Sequence, residues 1–370
     1  MPEPIYVTRP YLPPLDEILP LLEEIWRTRI LTNRGPLHER LEAELQSLLG
    51  VPNVTLTVNG MIALETALEA AKLSGEVITT PYSFVATAHA IVRSGLEPVF
   101  VDIRPSDLNI DPSRIEEAIT ERASAIVAVH CYGSPCAVEE IADIAGRHKL
   151  RVIYDAAHAF GVSVAGKSLL SFGDFSVLSF HATKTFTTFE GGAIVSFNDR
   201  DREEVKRLLN FGILDEVTVT SIGGNGKMNE FSAAVGLLQL AHFAEVREGR
   251  QAVDRRYRAA LADVAGLQPL ALPDNSEPNF SYFPVLVTED YRMTRDELYD
   301  ALKAEGIFSR RYFHPLLASL PMYRDLPSAN PANLPVATCA AEQILCLPIY
   351  PGLTPGDQDR VIDLVRGTRA

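Results

Sequence analysis

Between Val54 and Tyr154 the chain alternates short apolar, β-branched runs with segments of helical spacing, and nothing else in it constrains the fold so strongly. Val54 to Val58 is an apolar run. Met61 to Ala71 then places Leu64, Leu68 and Ala71 on one helical face. Glu76 to Thr80 reads as a strand, Phe84 to Arg93 as a helix ended by Gly95, and Pro98 to Ile103 as the next strand. A helix is expected from Pro112, with Asp111 as its N-cap. Ala123 to His130 and Arg151 to Tyr154 flank a helix from Val138 to His148. Repeated βα units with runs this apolar predict an α/β fold built on a mostly parallel sheet with helices on both faces.

The pattern then changes. Phe175 to Phe180 and Ala193 to Phe197 leave no room for a crossover helix between them, which predicts an antiparallel pair. A long helical stretch is expected from Asn229 through the 250s. Its Glu245, Arg247, Glu248 and Arg250 suggest a solvent-exposed connector. Beyond Pro269 come a strand near Tyr282 to Val287, a helix from Thr294 to Glu305, a proline-rich loop from Pro315 to Pro335 and a closing helix from Pro355. The expected division is a large domain over 1–246 and a smaller C-terminal α/β domain over 247–370.

Composition narrows the function classes. The 370 residues carry 34 Lys and Arg against 48 Asp and Glu, a net charge of −14, with no basic run to make a nucleic-acid surface. Cys131, Cys136, Cys339 and Cys346 form no CxxC pair, so no metal site is expected and the thiols suit a reducing compartment. The best candidate for a membrane span, Phe231 to Val246, is broken by Gln239 and His242. With no basic-then-apolar leader at Met1, a cytoplasmic enzyme without membrane contact is expected.

Ligands of an open parallel sheet bind beyond the carboxyl ends of its strands. Four segments fall at such ends. Asn59-Gly60-Met61 leads a strand into a helix, where free N–H groups and close backbone approach suit an anion; the alternative is a plain turn. Asp155 ends an apolar strand and is either an N-cap or a buried carboxylate matched to a cationic ligand atom. Lys184 lies in the polar loop Ser179-Phe180-His181-Ala182-Thr183-Lys184, which runs on to Glu190-Gly191-Gly192. It is either a solvated bystander or an amine placed to bond an aldehyde, while Ser179 and Thr183 suit a phosphate or local capping. The loop Gly223-Gly224-Asn225-Gly226 precedes a helix that Asn229 could cap. Singly, the plainer reading of each is the better one; together, in this order, it is not.

In this order the motifs resemble the fold-type-I pyridoxal phosphate enzymes, specifically the nucleotide-sugar aminotransferases of the DegT group. The resemblance runs through Leu31-Thr32-Asn33-Arg34-Gly35-Pro36, Thr80-Pro81-Tyr82-Ser83-Phe84-Val85-Ala86-Thr87, Asp155-Ala156-Ala157-His158, the Lys184 segment, the Asn225 loop and Arg310-Arg311-Tyr312-Phe313-His314-Pro315. It implies that Lys184 carries the pyridoxal 5'-phosphate and shuttles protons. It also implies that Asp155 pairs with the pyridine nitrogen. Phe84 would stack on the ring, His158 would lie near the ring oxygen, and Gly60, Met61 and Ser179 would cradle the phosphate. Asn225 would reach the phosphate of the neighbouring subunit, making a homodimer with composite active sites. Met61 stands where the family has Thr or Ser, which removes a hydroxyl contact. His314 stands where close relatives carry an aromatic residue.

The expected reaction is transfer of an amino group from L-glutamate to a nucleotide-linked keto-deoxysugar, dTDP-4-keto-6-deoxyglucose or its 3-keto isomer. A sugar dehydratase would have His in place of Lys184. A cofactor-binding regulatory protein without turnover would not require Lys184, Asp155 and His158 together. Arg310, Arg311, Tyr312 and His314 combine charge and aromatic surface suited to a diphosphate beside a sugar; the alternative is a salt-bridged surface turn.

Overall fold

The computed structural model describes residues 3–368. Its centre is a seven-stranded sheet of β2 (Asn53–Thr57), β3 (Glu76–Thr79), β4 (Glu97–Phe100), β5 (Ala123–Val129), β6 (Arg151–Asp155), β9 (Phe175–Ser179) and β10 (Gly192–Ser196), in the order β2-β10-β9-β6-β5-β3-β4. The pairs β3–β4, β3–β5, β5–β6 and β6–β9 are parallel. Strand β10 alone runs the other way, antiparallel to both β9 and β2. The twelve residues between β9 and β10 hold no helix, so the chain reverses as expected and the sheet remains mostly parallel.

Alternation within each strand shows why both faces must be covered. Val77, Ala125, Val127, Ile153 and Val177 face one side and pack on α3 (Gly60–Ala70), α4 (Val85–Arg93) and α7 (Asp199–Leu208). Their neighbours Ile78, Ile126, Ala128, Val152 and Leu178 face the other side. There they meet α2 (Pro36–Leu49), α6 (Val138–His148) and α8 (Glu230–Ala241), with α1 (Leu15–Thr28) and α5 (Pro112–Ile115) at the margin. A sheet apolar on both faces needs two helical layers.

The C-terminal part is a three-stranded antiparallel sheet, β13 (Leu267–Pro269), β15 (Phe283–Val287) and β17 (Ile344–Leu347). It packs with α9 (Phe243–Leu261), α10 (Arg295–Ala304) and α12 (Pro355–Arg366), while α11 (Pro335–Gln343) sits against β15 in a separate apolar cluster that also takes in Tyr82 and Phe100. Its apolar cluster takes in Ile5, because β1 (Ile5–Tyr6) pairs in parallel with β16 (Ile307–Phe308). Two small ribbons complete the fold: β7 (Ser163–Val164) with β8 (Lys167–Ser168) and β14 (Ser276–Glu277), and the hairpin β11 (Ile213–Asp215) and β12 (Thr218–Val219).

The stretch expected as one exposed connector is two helices that meet at His242, and α8 is largely buried. Arg250 is also not exposed. At 2% exposure its guanidinium donates to the carbonyls of Phe280, Ser281 and Ile349 and to the Thr8 hydroxyl. A charge can be buried here because carbonyls from two segments and a hydroxyl from a third meet the terminal N–H groups of the guanidinium.

Candidate active site

Helix α3 begins at the carboxyl edge of β2, and the Asn59 side chain caps it by accepting the Ile62 N–H at 2.9 Å. The Gly60 and Met61 N–H groups precede the first intrahelical bond and are open to a ligand. Strand register sets Thr57, Gly192 and Ser179 side by side. Gly60 lies so close to this row that a Cβ on it would stand 2.8 Å from the Ser179 Cβ. Residues Gly60, Met61 and Ser179 therefore form one cradle with a helix N-terminus at its base, which suits a phosphate.

Asp155 ends β6 in the middle of the sheet and is buried. Its Oδ2 accepts from the Thr87 hydroxyl at 2.7 Å and its Oδ1 from the Ala157 N–H at 3.1 Å. Burial pushes its carboxyl above the ordinary carboxylate value, while these two hydrogen bonds and the charge of Lys184 pull it back. Among the described residues no ion pair within 4.0 Å joins Asp155 to a cation. A protonated ring nitrogen would supply the partner this buried carboxylate lacks.

Lys184 closes a turn in which its N–H donates to the His181 carbonyl at 2.9 Å. Burial pushes its ammonium down to about 8, with Asp155 opposing the shift. An amine so depressed is partly free base near neutrality and can attack an aldehyde.

His158 is buried, and its Nδ1 accepts from the Tyr132 N–H at 3.2 Å. Burial, and next the Lys184 charge, hold it well below the usual histidine range, so the imidazole is neutral. With Nδ1 accepting, the proton sits on Nε2, which is then a donor. Phe84 is the N-cap of α4 rather than its first helical residue, and its ring is 57% exposed. It lies three residues before Thr87, so the helix that holds the Asp155 carboxylate also presents this ring.

Asn225 is exposed and bridges to Asn210. Its loop runs along the entrance of α3: Val58 N–H donates to the Gly226 carbonyl at 2.8 Å, and a Cβ on Gly226 would stand 2.9 Å from Ile62 Cγ2.

The loop from Arg310 to Pro315 is split in its contacts. Arg310 pairs through its backbone with Cys346 and exposes its side chain, and His314 is likewise exposed. Arg311 instead donates to Asp296 at 2.7 Å and stacks on Tyr299 at 4.3 Å, so α10 holds it in the salt-bridged arrangement weighed as the alternative. The Tyr312 carbonyl accepts from the hydroxyls of Tyr82 and Tyr132. Phe313 stacks on both Tyr132 and His158.

Thr87, Tyr82 and Tyr132 join the site without a role legible in the sequence. For Thr87 the signal was its place one helical turn after Phe84. The two tyrosines meet through strands far apart in the chain and had no local signal.

These side chains gather at the carboxyl edge of a mostly parallel sheet, and the fold is that of the fold-type-I aminotransferases. A model of the DegT/DnrJ/EryC1/StrS aminotransferase family matches residues 15–366, and the chain belongs to that family. It is 50% identical over 366 residues to dTDP-4-amino-4,6-dideoxy-D-glucose transaminase of Shigella dysenteriae, covering 99% of each chain. It is 48% identical to the enzyme of the same name from Escherichia coli, covering 98% of each. Among solved structures, DesI in the presence of its TDP-sugar product superposes with a TM-score of 0.94 at 37% identity, covering 99% of this chain and 93% of that one. No helix among the described residues is long and apolar enough to cross a membrane.

Proposed function

We propose that this protein uses pyridoxal 5'-phosphate to move an amino group from L-glutamate to C4 of dTDP-4-keto-6-deoxyglucose. The observation that carries the reading is Asp155, buried and lacking an ion-pair partner, with Lys184 near enough for each charge to shift the other's titration. The names of the two transaminases sharing about half of this sequence supply the sugar and the carbon. The cofactor, when bound, supplies an electron sink for the carbanion that transamination generates.

The chain's own residues do the rest. Gly60, Met61 and Ser179 hold the phosphate by backbone N–H groups and a hydroxyl. Asp155, fixed by Thr87 and Ala157, keeps a proton on the ring nitrogen. His158 would donate from Nε2 toward the ring oxygen, and Phe84 would cover one ring face. Lys184, as free base, would take the proton from the donor's α-carbon and, in the sugar half of the reaction, would deliver one to C4 of the sugar. Arg310, Tyr312 and His314 line the approach of the sugar nucleotide, with Arg311 anchoring that loop through Asp296.

The active unit is a homodimer in which Asn225 reaches the partner's phosphate cradle. Exposed Leu15, Leu19 and Trp26 on α1, and Val217 and Ile222 around the β11–β12 hairpin, provide the apolar surface for it. Four free thiols suit a cytoplasmic location. The test is incubation with L-glutamate and the 4-keto or 3-keto sugar separately, with products identified by NMR. Amination of the 4-keto sugar is expected. Amination at C3 alone overturns the carbon, and amination of neither overturns the substrate class.

A further inference from the structure

Tyr132 occupies an unusual position. It sits between β5 and α6 with φ 57° and ψ 11°, a left-handed conformation that few bulky residues adopt. Hydrogen bonds on either side hold it there, Gly133 N–H to the His130 carbonyl at 3.0 Å and Ser134 N–H to the Cys131 carbonyl at 2.8 Å. Strained residues held in this way concentrate where function needs a fixed geometry.

Three contacts radiate from it. Its backbone N–H donates to His158 Nδ1 and so leaves the imidazole proton on Nε2. Its ring stacks on Phe313, with centroids 5.9 Å apart and planes 14° from parallel, and Phe313 in turn stacks on His158. Its hydroxyl donates to the Tyr312 carbonyl and lies 2.7 Å from the hydroxyl of Tyr82, which reaches the same carbonyl at 3.3 Å. Both phenols are buried, and burial keeps them protonated, so both remain donors.

We propose that Tyr132 is a positioning residue, assisted by Tyr82, that clamps the loop from Arg310 to Pro315 to the cofactor side of the site through the Tyr312 carbonyl and His158. The inference rests on the reading of that loop as the sugar-nucleotide surface. The clamp fixes where Arg310 and His314 stand relative to the histidine beside the cofactor. It acts on the sugar half of the reaction, because glutamate transfers its amino group before the sugar must be placed. The backbone N–H to His158 does not depend on the phenol, so a phenol deletion separates the two duties of the residue.

The test is Tyr132→Phe in the holoenzyme, which keeps the ring and the N–H and removes the hydroxyl. The glutamate half-reaction, followed by the cofactor's absorbance, is expected within about twofold of wild type. The KM for the keto-sugar is expected to rise about five- to tenfold, the size of one hydrogen bond lost from a buried acceptor. Tyr82→Phe should give the same split with a smaller rise in KM, and it decides the matter alone if Tyr132→Phe does not fold. An unchanged KM in a variant that melts like wild type overturns the clamp. So does an equal fall in both half-reactions, which marks a general structural role. A wild-type enzyme that does not aminate the sugar overturns the parent reading and this one with it. A wild type that turns over beside an indifferent Tyr132→Phe overturns this one alone.

Discussion

Lys184 and Asp155 are each held away from their ordinary titration by the same cause, burial, and each partly offsets the other's shift. The consequence for Lys184 can be read as a pH dependence. Its ammonium loses its proton at about 8 rather than the ordinary 10.5, so the share of reactive amine grows as pH rises through about 8. Binding of pyridoxal phosphate to the apoenzyme, followed by the colour of the bound cofactor, should therefore accelerate with pH and level off above that value. A rate that is flat around pH 8 would count against Lys184 as the attacking group. Borohydride reduction of the holoenzyme should fix the cofactor to the peptide that contains Lys184, and Lys184→Ala should abolish turnover. Label on Lys167 or Lys227 would overturn the assignment. Asp155→Asn keeps the shape of the carboxylate and removes its charge. The loss belongs to the transition state, so kcat should fall by about 100- to 1000-fold with cofactor affinity far less affected. Steady-state kinetics with saturating cofactor would check this, and a near-normal kcat would exclude the pairing with the ring nitrogen.

Helix α3 makes its contribution through its first turn, where Gly60 allows the backbone to lie against Ser179. Gly60→Ala places a methyl 2.8 Å from the Ser179 Cβ, so the cradle must open. Such overpacking costs about 1–3 kcal/mol, and it should appear as weaker cofactor binding in a titration of the apoenzyme while the far-ultraviolet spectrum is unchanged. Unaltered cofactor affinity would move the phosphate elsewhere. That this turn could be found without coordinates follows from its chemistry: a strand, an Asn-Gly pair and a helix are adjacent in the chain. The βα units were legible for the same reason, as each strand carries its own apolar alternation. Arg250 was not legible. Its charge suggested solvent, and the carbonyls that bury it come from residues 280, 281 and 349. The break between α8 and α9 at His242 was missed because no Gly or Pro marks it. The tie of Arg311 to Asp296 and Tyr299 joins a loop to a helix 12 to 15 residues earlier in the chain. Spacing alone marks this loop as a possible salt-bridged turn but does not name these partners.

At the scale of the whole molecule, one chain leaves large apolar side chains in water. Trp26 is 75% exposed and Val217 92%, and they lie on α1 and at the hairpin that leads to the Asn225 loop. Scattered apolar residues on a surface need no explanation, but Val217 and Ile222 stand beside the loop assigned to a phosphate, and exposed side chains there fit a second copy of the chain. A two-fold dimer places the same segments on both sides of its axis, so each Asn225 loop can serve the other subunit's site. Complementation tests this directly. In a heterodimer of Lys184→Ala and Asn225→Ala chains, one site receives both substitutions and the other receives neither. Equal mixing with free exchange makes half of the dimers mixed, so roughly a quarter of all sites should regain full activity. The recovery should follow the rate of subunit exchange, measured separately with a fluorescent label on each variant. Recovery well above that of either variant alone would establish that the lysine and the asparagine of one site come from different chains. Exchange without recovery would place Asn225 at the site of its own chain, beside the α3 entrance that its loop already borders.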